Sequence, residues 1–137
     1  MSKSYVLDTS AFIALTLDEA GSNVITGLFS LARKRKAQLY ISFITLTEVY
    51  YIVYRNQGEE AAHRVVSFIK TLPLETVYPN DILVLSAGRI KANHPLSIAD
   101  AFVAATAIEK KAVLVHKDPE LESMVRYVEV LNLPYKN

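Results

Sequence analysis

The sequence of 137 residues has no cysteine, only four glycines and only two methionines. Without cysteine, the chain cannot form a disulfide, a thiolate zinc site or a thiol nucleophile. No apolar stretch reaches the roughly 20 residues that a membrane-spanning helix needs. Near the N-terminus, Asp8 interrupts the apolar stretch and Asp18 and Glu19 follow it, unlike a secretory signal. These features predict a cytoplasmic protein, and the scarcity of Gly, Met and Cys favours heat tolerance.

Length and composition predict one folded domain over residues 1–137. Hydrophobic residues make up 51% of the chain, which is enough for a core and argues against disorder. The net charge of +1 arises from 15 basic and 14 acidic residues. If four acids were committed to a metal, the remaining surface would be mildly basic and would suit a polyanionic substrate. An even scatter of charges is the alternative.

Strand-like and helix-like segments alternate along the chain. The predicted strands are Ser4–Leu7, Leu39–Phe43, Leu74–Tyr78, Ala112–His116 and Val128–Leu131. The predicted helices are Ser10–Leu17, Ser22–Lys36, Thr45–Asn56, Glu59–Thr71, Asn80–Asn93, Ser97–Lys111 and Pro119–Val125. This alternation predicts an α/β fold, with a small parallel sheet flanked by helices on both faces.

Four acidic residues stand where apolar runs end or helices begin, namely Asp8, Glu48, Asp100 and Asp118. In a parallel α/β sheet such positions converge on one edge. Carboxylates brought together repel one another, and a bound divalent cation is the commonest reason for such a cluster. Hydrolysis of phosphodiesters is a common use of a cation held in this way.

Helix capping is the favoured explanation of each acid when it is taken alone. Capping-box or N-cap patterns occur at Asp8-Thr9-Ser10, Thr45-x-x-Glu48, Ser97-x-x-Asp100 and Asp118-Pro119-Glu120. Capping and metal binding are compatible, because a helix N-terminus carries partial positive charge. We therefore expect these carboxylates to be held in the ionised form.

The segments around the acids resemble the four acidic motifs of PIN domains. The matching segments are Val6-Leu7-Asp8-Thr9-Ser10-Ala11, Thr47-Glu48-Val49, Leu96-Ser97-Ile98-Ala99-Asp100-Ala101 and Leu114-Val115-His116-Lys117-Asp118. Their order and spacing fit across essentially the whole chain, and the stretch from Leu96 to Ala107 is the most specific part. A compact PIN protein of this size looks like VapC, the toxin of a type II toxin–antitoxin pair.

The resemblance implies a three-layer α/β/α fold and an endoribonuclease that depends on Mg²⁺ or Mn²⁺. By the same resemblance, Asp8 and Asp100 are the leading metal ligands, while Glu48 and Asp118 complete the catalytic site directly or through waters. Thr9, Ser97 and His116 then become candidates for contacting substrate or supporting the acids. The implied cleavage leaves a 5′-phosphate and a 3′-hydroxyl.

His116 departs from the pattern, because VapC-like chains usually carry Thr or Ser two residues before the last acid. The imidazole could touch phosphate or serve as a nitrogen ligand for manganese. An exposed histidine at a strand end is the simpler expectation. Glu122 could take the place of Asp118 if the last short helix were displaced.

The resemblance also implies an RNA substrate, a cognate antitoxin protein and a homodimer, with no membrane partner. The basic run Arg33–Lys36 would contact RNA or antitoxin, or would simply be a solvated helix end, which we favour. An aromatic patch formed by Tyr50, Tyr51 and Tyr54 would stack a base or receive an antitoxin segment. A half-buried core position or a dimer contact is the favoured explanation for the patch.

Other functions are less consistent with the residues. A receiver domain needs a pair of adjacent acids after its first strand, and an aspartyl phosphatase needs Asp-x-Asp, whereas the chain has Asp8-Thr9-Ser10. A catalytically degenerate PIN-like module that only binds RNA or protein remains the alternative from another class. An RNA-processing nuclease without an antitoxin is a second alternative.

Overall fold

The structure, a computed structural model, describes residues 3–134, apart from the side chains of Val125 and Arg126. Five strands form one sheet in the order β3-β2-β1-β4-β5. The strands are β1 (Lys3–Leu7), β2 (Ala37–Ser42), β3 (Glu75–Val77), β4 (Val113–His116) and β5 (Val130–Asn132). The helices are α1 (Thr9–Thr16), α2 (Ser22–Arg33), α3 (Phe43–Gln57), α4 (Glu59–Ile69), α5 (Asp81–Asn93) and α6 (Ile98–Lys110), and a 3-10 helix (Pro119–Arg126) follows β4.

All four strand pairings are parallel, and β1 lies at the centre of the sheet. Tyr5 pairs with Leu39 of β2 on one side and with Val113 of β4 on the other. Because the strands are parallel, their carboxyl ends meet at one rim. The residues that follow β1, β2 and β4 are therefore brought to the same rim.

Apolar side chains cover both faces of the sheet. Val6 of β1 packs into a core with α5 and α6, whereas the next residue, Leu7, packs into a core with α1 and α2. This change of face follows from the alternation of side chains along a strand. The predicted parallel sheet with helices on both faces is confirmed, and it forms the middle of three layers.

Local capping signals correctly located two helix starts. Asn80 accepts a hydrogen bond of 2.8 Å from the Leu83 amide and begins α5, and Ser97 accepts one of 3.1 Å from the Asp100 amide and begins α6. Gly58 ends α3 with a φ of 93°, a conformation that L side chains rarely adopt. A sharp change of direction follows directly, so that α3 and α4 form a hairpin.

Several predicted elements differ from those of the structure. The third predicted helix begins at Phe43 with Ser42 as its N-cap, so Thr45 is not a cap and Glu48 lies in the second turn. The second ends at Arg33, because Arg35 adopts a φ of 58°. The last short helix is a 3-10 helix, with Asp118 as its N-cap.

Within residues 3–134, no helix combines the length and apolar character needed to cross a bilayer.

Candidate active site

A cavity of about 370 Å³ opens at the carboxyl rim of the sheet. All four acids singled out from the sequence line it, although they come from segments far apart in the chain. Two of them follow the neighbouring strands β1 and β4, and two lie in the first two turns of α3 and α6. The cavity is lined by Asp8, Thr9, Ser10, Ile13, Glu19, Glu48, Ile52, Asp100, Lys117 and Asp118.

Asp8 is the most buried of the four acids, with 2% of its surface exposed. It caps α1 by accepting a 2.8 Å hydrogen bond from the Ala11 amide, and the Ser10 hydroxyl donates to the carboxylate at 2.7 Å. Burial raises the pKa of Asp8 from 3.8 to about 7, although the bonds from Ala11 and Ser10 act to lower it. The negative charge of Asp118 raises this pKa further.

Asp100 lies in the first turn of α6, where Ser97 caps the helix. Burial is the largest cause that raises the pKa of Asp100 to about 7. The neighbouring Asp118 is the next cause, through its charge and a hydrogen bond, and the charges of Asp8 and Glu48 add to it. These four carboxylates are therefore close enough to interact electrostatically.

The helix N-termini do not keep the pKa values of Asp8 and Asp100 at the usual level of a carboxyl group. Both lie in the first turn or at the N-cap of a helix, yet their pKa values rise rather than fall. The helix dipole and the capping hydrogen bonds stabilise the charged form, but desolvation and like charges outweigh them. A metal-free cavity therefore holds protons at neutral pH that a bound cation would displace.

Glu48 is held in place by the residue that follows Asp8. Thr9 Oγ1 donates a hydrogen bond of 2.6 Å to Glu48 Oε1 and also lies 3.2 Å from the hydroxyl oxygen of Thr45. Thr45 is fully buried in the first turn of α3. The sequence-based capping box between Thr45 and Glu48 is thus replaced by a contact between α1 and α3.

Asp118 accepts a 3.0 Å hydrogen bond from the Glu120 amide as it caps the 3-10 helix. Carboxylate oxygens of Asp100, Asp118 and Glu120 lie within 4.8 Å of one another. In the sequence Glu120 stands out only as part of a cap, and its place in this cluster was not predicted. Glu122, named as a substitute for Asp118, instead accepts a 3.3 Å hydrogen bond from the Asn132 amide group.

The expectation that His116 is exposed was wrong, because its side chain is fully buried at the end of β4. Its Nδ1 atom accepts a hydrogen bond of 3.1 Å from the Asp118 amide. Burial lowers the pKa of His116, against a hydrogen bond with Asn132 and the charges of Asp118 and Glu122, which raise it. Ser97 is exposed and acts as a helix cap, whereas Thr9 lines the cavity.

A basic side chain also faces the cavity. Lys117 Nζ lies 3.4 Å from Glu19 Oε1 and 3.0 Å from the carbonyl oxygen of Ala20, and only 5% of the Lys117 side chain is exposed. The Lys117 amide donates a 2.8 Å hydrogen bond to Ser10 Oγ. Lys117 therefore joins the end of β4 to the segment between α1 and α2.

The secondary features lie elsewhere. The exposed run Arg33–Lys36 leads into the start of β2, at the amino-terminal rim of the sheet and away from the cavity. Tyr50 packs against Tyr54 and His63, with ring centroids 5.8 and 5.2 Å apart. The His63 side chain is 65% exposed, as expected of a surface histidine.

The donor set of the cavity suits a hard divalent cation. Its candidate ligands within residues 3–134 are carboxylate oxygens. Such ligands suit Mg²⁺ and Mn²⁺ better than they suit softer metals. Mutual repulsion and burial make the metal-free cluster unfavourable, as the raised pKa values of Asp8 and Asp100 indicate. The positive charge of a cation would offset both causes, so the residues present fit the metal that PIN domains imply.

Comparison with solved structures identifies the fold. A chain of the DNA-bound VapBC complex from Salmonella typhimurium superposes with a TM-score of 0.77 and 23% identity, covering 96% of this chain and 98% of that one. A chain of promoter-bound VapBC2 from Rickettsia felis gives 0.76 and 19%, covering 96% and 99%. VapC20 from Mycobacterium tuberculosis, described as a toxin that cleaves the sarcin–ricin loop, gives 0.70 and 20%, covering 92% and 98%.

Comparison of sequences gives a complementary result. No curated protein matches the chain significantly. The family model of the PIN domain, in contrast, matches residues 5–127, a range that includes all four acids of the cavity. Together with the fold, this match shows that the chain belongs to the PIN domain family.

Proposed function

We propose that the protein is a metal-dependent endoribonuclease that hydrolyses RNA phosphodiester bonds, with residues 1–137 acting as one PIN-like nuclease domain. The observation that carries the proposal is the meeting of four sequence-distant carboxylates, Asp8, Glu48, Asp100 and Asp118, in one cavity. Clustered carboxylates with raised pKa values destabilise a fold. They are typical of active sites, where their function accounts for them.

In this proposal Asp8 and Asp100 are the principal ligands of Mg²⁺ or Mn²⁺, and Glu48 and Asp118 complete the site. The position of Glu120 beside Asp100 and Asp118 adds a further oxygen donor. When bound, the cation supplies Lewis-acid stabilisation of charge on the phosphate and lowers the pKa of water. Mg²⁺ usually binds few protein carboxylates, so phosphate oxygens of the substrate would supply further ligands.

The protein's own residues orient the acids and handle protons. Ser10 and the Ala11 amide hold the Asp8 carboxylate, while Thr9 holds Glu48. The raised pKa values of Asp8 and Asp100 belong to the metal-free cavity, so both carboxylates would give up their protons on binding the cation. Ile13 and Ile52 also line the cavity and make part of its wall apolar.

We further propose that the protein is the toxin of a toxin–antitoxin pair, acts in the cytoplasm and forms a homodimer. Similarity to chains of VapBC complexes over 96% of this chain supports an antitoxin partner. The likeness to a toxin described as cleaving the sarcin–ricin loop supports RNA as the substrate. A module that binds RNA or protein without cleaving it is the alternative, and the presence of all four acids argues against it.

The test compares Asp100→Asn with Asp81→Asn. Both residues lie in the first turn of a helix, but Asp81 is exposed at the start of α5. We expect Asp100→Asn to reduce Mg²⁺-dependent RNA cleavage at least about 100-fold and to abolish saturable Mn²⁺ binding in calorimetry, because the site loses a charged ligand. Asp81→Asn should retain both properties.

The same assays with Asp8→Asn test the second principal ligand. Retention of RNA cleavage by both Asp8→Asn and Asp100→Asn would refute the assignment. Saturable Mn²⁺ binding without cleavage of any RNA would favour the binding module instead. Mapping of RNA ends after expression of the wild type and of Asp100→Asn in a bacterium identifies the target.

A further inference from the structure

The end of β4 and the turn that follows it are fixed by a partner for each of the four residues from Val115 to Asp118. The Val115 carbonyl accepts a hydrogen bond of 3.0 Å from the Asp8 amide, and the His116 carbonyl accepts one of 2.7 Å from the Leu133 amide. The Lys117 amide donates to Ser10 Oγ at 2.8 Å. The Asp118 amide donates to the side chain of His116, so this bond alone of the four joins residues that are only two positions apart.

This bond reproduces a local motif that is usually made by a hydroxyl. A Ser or Thr side chain commonly accepts a hydrogen bond from the amide two residues further on and so closes a tight turn. In this chain the imidazole Nδ1 of His116 occupies the acceptor position, 3.1 Å from the Asp118 nitrogen. An amide can only donate, so Nδ1 is unprotonated and the neutral ring carries its proton on Nε2.

The imidazole is itself held by β5. His116 is paired with Asn132 across the parallel β4–β5 ladder, which puts the two side chains on the same face of the sheet. Asn132 in turn donates a 3.3 Å hydrogen bond to Glu122 of the 3-10 helix. Because the His116 side chain is fully buried, the packing around its ring restricts its orientation.

From this geometry we infer that His116 is a positioning residue: its Nδ1 atom takes the place of a hydroxyl acceptor and holds the turn that directs the Asp118 carboxylate into the acidic cavity. This inference rests on the proposed function for its consequence, which is tighter cation binding. Residues that orient metal ligands typically change metal affinity by about 10- to 100-fold when they are lost. His116 itself contacts neither cation nor RNA in this assignment.

The test uses two substitutions of equal shape, His116→Thr and His116→Val. Both β-branched residues suit the end of a strand, but only Thr offers an acceptor to the Asp118 amide. In metal-free protein we expect the Asp118 amide to exchange slowly with solvent in the wild type and in His116→Thr. In His116→Val we expect exchange at least about 10-fold faster, because the hydrogen bond is lost.

The second readout is Mn²⁺ affinity by calorimetry. His116→Thr should bind Mn²⁺ within about threefold of the wild type, and His116→Val at least about 10-fold more weakly. His63→Val removes an exposed imidazole from α4 and should leave both readouts unchanged. Nitrogen-15 spectra of the wild-type ring should show the proton on Nε2.

Two results would overturn the inference. One is equal Asp118 amide exchange in His116→Thr and His116→Val, and the other is equal Mn²⁺ affinity of these two variants while the wild type binds more tightly. Either result would show that ring size, and not the acceptor, matters at this position. Absence of saturable Mn²⁺ binding by the wild type would instead refute the proposed function, and the amide exchange would still decide the role of the Nδ1 acceptor.

Discussion

Thr9 Oγ1 lies 2.6 Å from Glu48 Oε1, so the residue next to one acid of the cavity holds another acid that lies 39 positions away. The bond joins the first turn of α1 to the second turn of α3. A hydrogen bond to a charged group contributes more than one between neutral groups. The geometry of Glu48 therefore depends on Thr9 as well as on its own helix.

Replacement of Thr9 by Val should weaken the site while the fold is retained. The change keeps the shape of the side chain and removes the donor, so we expect Mn²⁺ affinity and RNA cleavage to fall about 10-fold or more. The free energy of unfolding should fall by about 1–3 kcal/mol. Thr16→Val, in the exposed last turn of the same helix, is the control for loss of a threonine hydroxyl.

Ser10 connects two segments of the cavity wall, because its hydroxyl donates to Asp8 and accepts from the Lys117 amide. Ser10→Ala removes both hydrogen bonds. We expect a loss of about 1–3 kcal/mol in the free energy of unfolding, measured with urea, because the partly buried Lys117 amide loses its acceptor. Ser30→Ala on the exposed side of α2 should change stability by less than about 0.5 kcal/mol, and an equal loss in both variants would contradict the assignment.

The stability of the metal-free protein should depend on pH through Asp8 and Asp100. Both have pKa values raised from 3.8 to about 7, so between about pH 4 and pH 7 the folded protein binds more protons than the unfolded chain. Stability from these two groups is therefore greatest below pH 4 and is lost as the pH rises through 7. The lowered pKa of His116 acts in the opposite direction, so a difference measurement is needed.

The measurement is urea denaturation in EDTA at several pH values for the wild type, Asp100→Asn and Asp81→Asn. The free energy of unfolding of Asp100→Asn relative to the wild type should increase from pH 4 to pH 7 and become constant above it, because the amide has no charge to bury. The difference for Asp81→Asn should change less. A flat difference for Asp100→Asn would mean that its pKa is not raised in solution.

The ion pair between Lys117 Nζ and Glu19 Oε1, 3.4 Å apart, should stabilise the fold more than a shorter but exposed pair does. Only 5% and 13% of the two side chains are exposed, so Lys117→Met leaves a buried carboxylate and should cost about 3–5 kcal/mol. The Lys3–Glu129 pair, at 3.0 Å but with 56% and 65% exposure, is the matched control. Lys3→Met should cost far less than Lys117→Met, because solvent screens the exposed pair.

A double-mutant cycle separates the pair from its surroundings. If Glu19→Gln is added to Lys117→Met, the combined loss should be smaller than the sum of the two single losses, because the carboxylate charge that Lys117 balances is then removed as well. Additive losses would indicate that Lys117 is held mainly by the carbonyl oxygen of Ala20. Both variants should be assayed for RNA cleavage, since Lys117 and Glu19 line the cavity.

The sequence was most informative where the structure depends on near neighbours. Asn80 and Ser97 cap their helices as predicted, because a cap involves residues only three positions apart. The meeting of the acids was predictable because a parallel sheet has one carboxyl rim. The start of α3 was misplaced because Ser42 and Thr45 are both acceptable caps, and Thr45 instead packs beside Thr9 of another helix.

The errors at the site share a physical cause. The burial of His116 depends on β5 and the 3-10 helix, and the place of Glu120 depends on α6, so neither can be read from adjacent residues. The same holds for the protonation of Asp8 and Asp100, because desolvation is a property of the complete cavity and not of a helix end. Patterns specify which acids meet, and packing determines their charge.

The central position of β1 has a consequence for biosynthesis. Asp8 is translated before Val115, whose carbonyl accepts a hydrogen bond from the Asp8 amide. Likewise, the contact between Ser10 and Lys117, 107 positions apart, can form only after Lys117 has been translated. A nascent chain that still lacks Asp118 therefore has no complete cavity. If the protein cleaves RNA as proposed, a nascent chain cannot cleave RNA before Asp118 has been translated and has folded against β1.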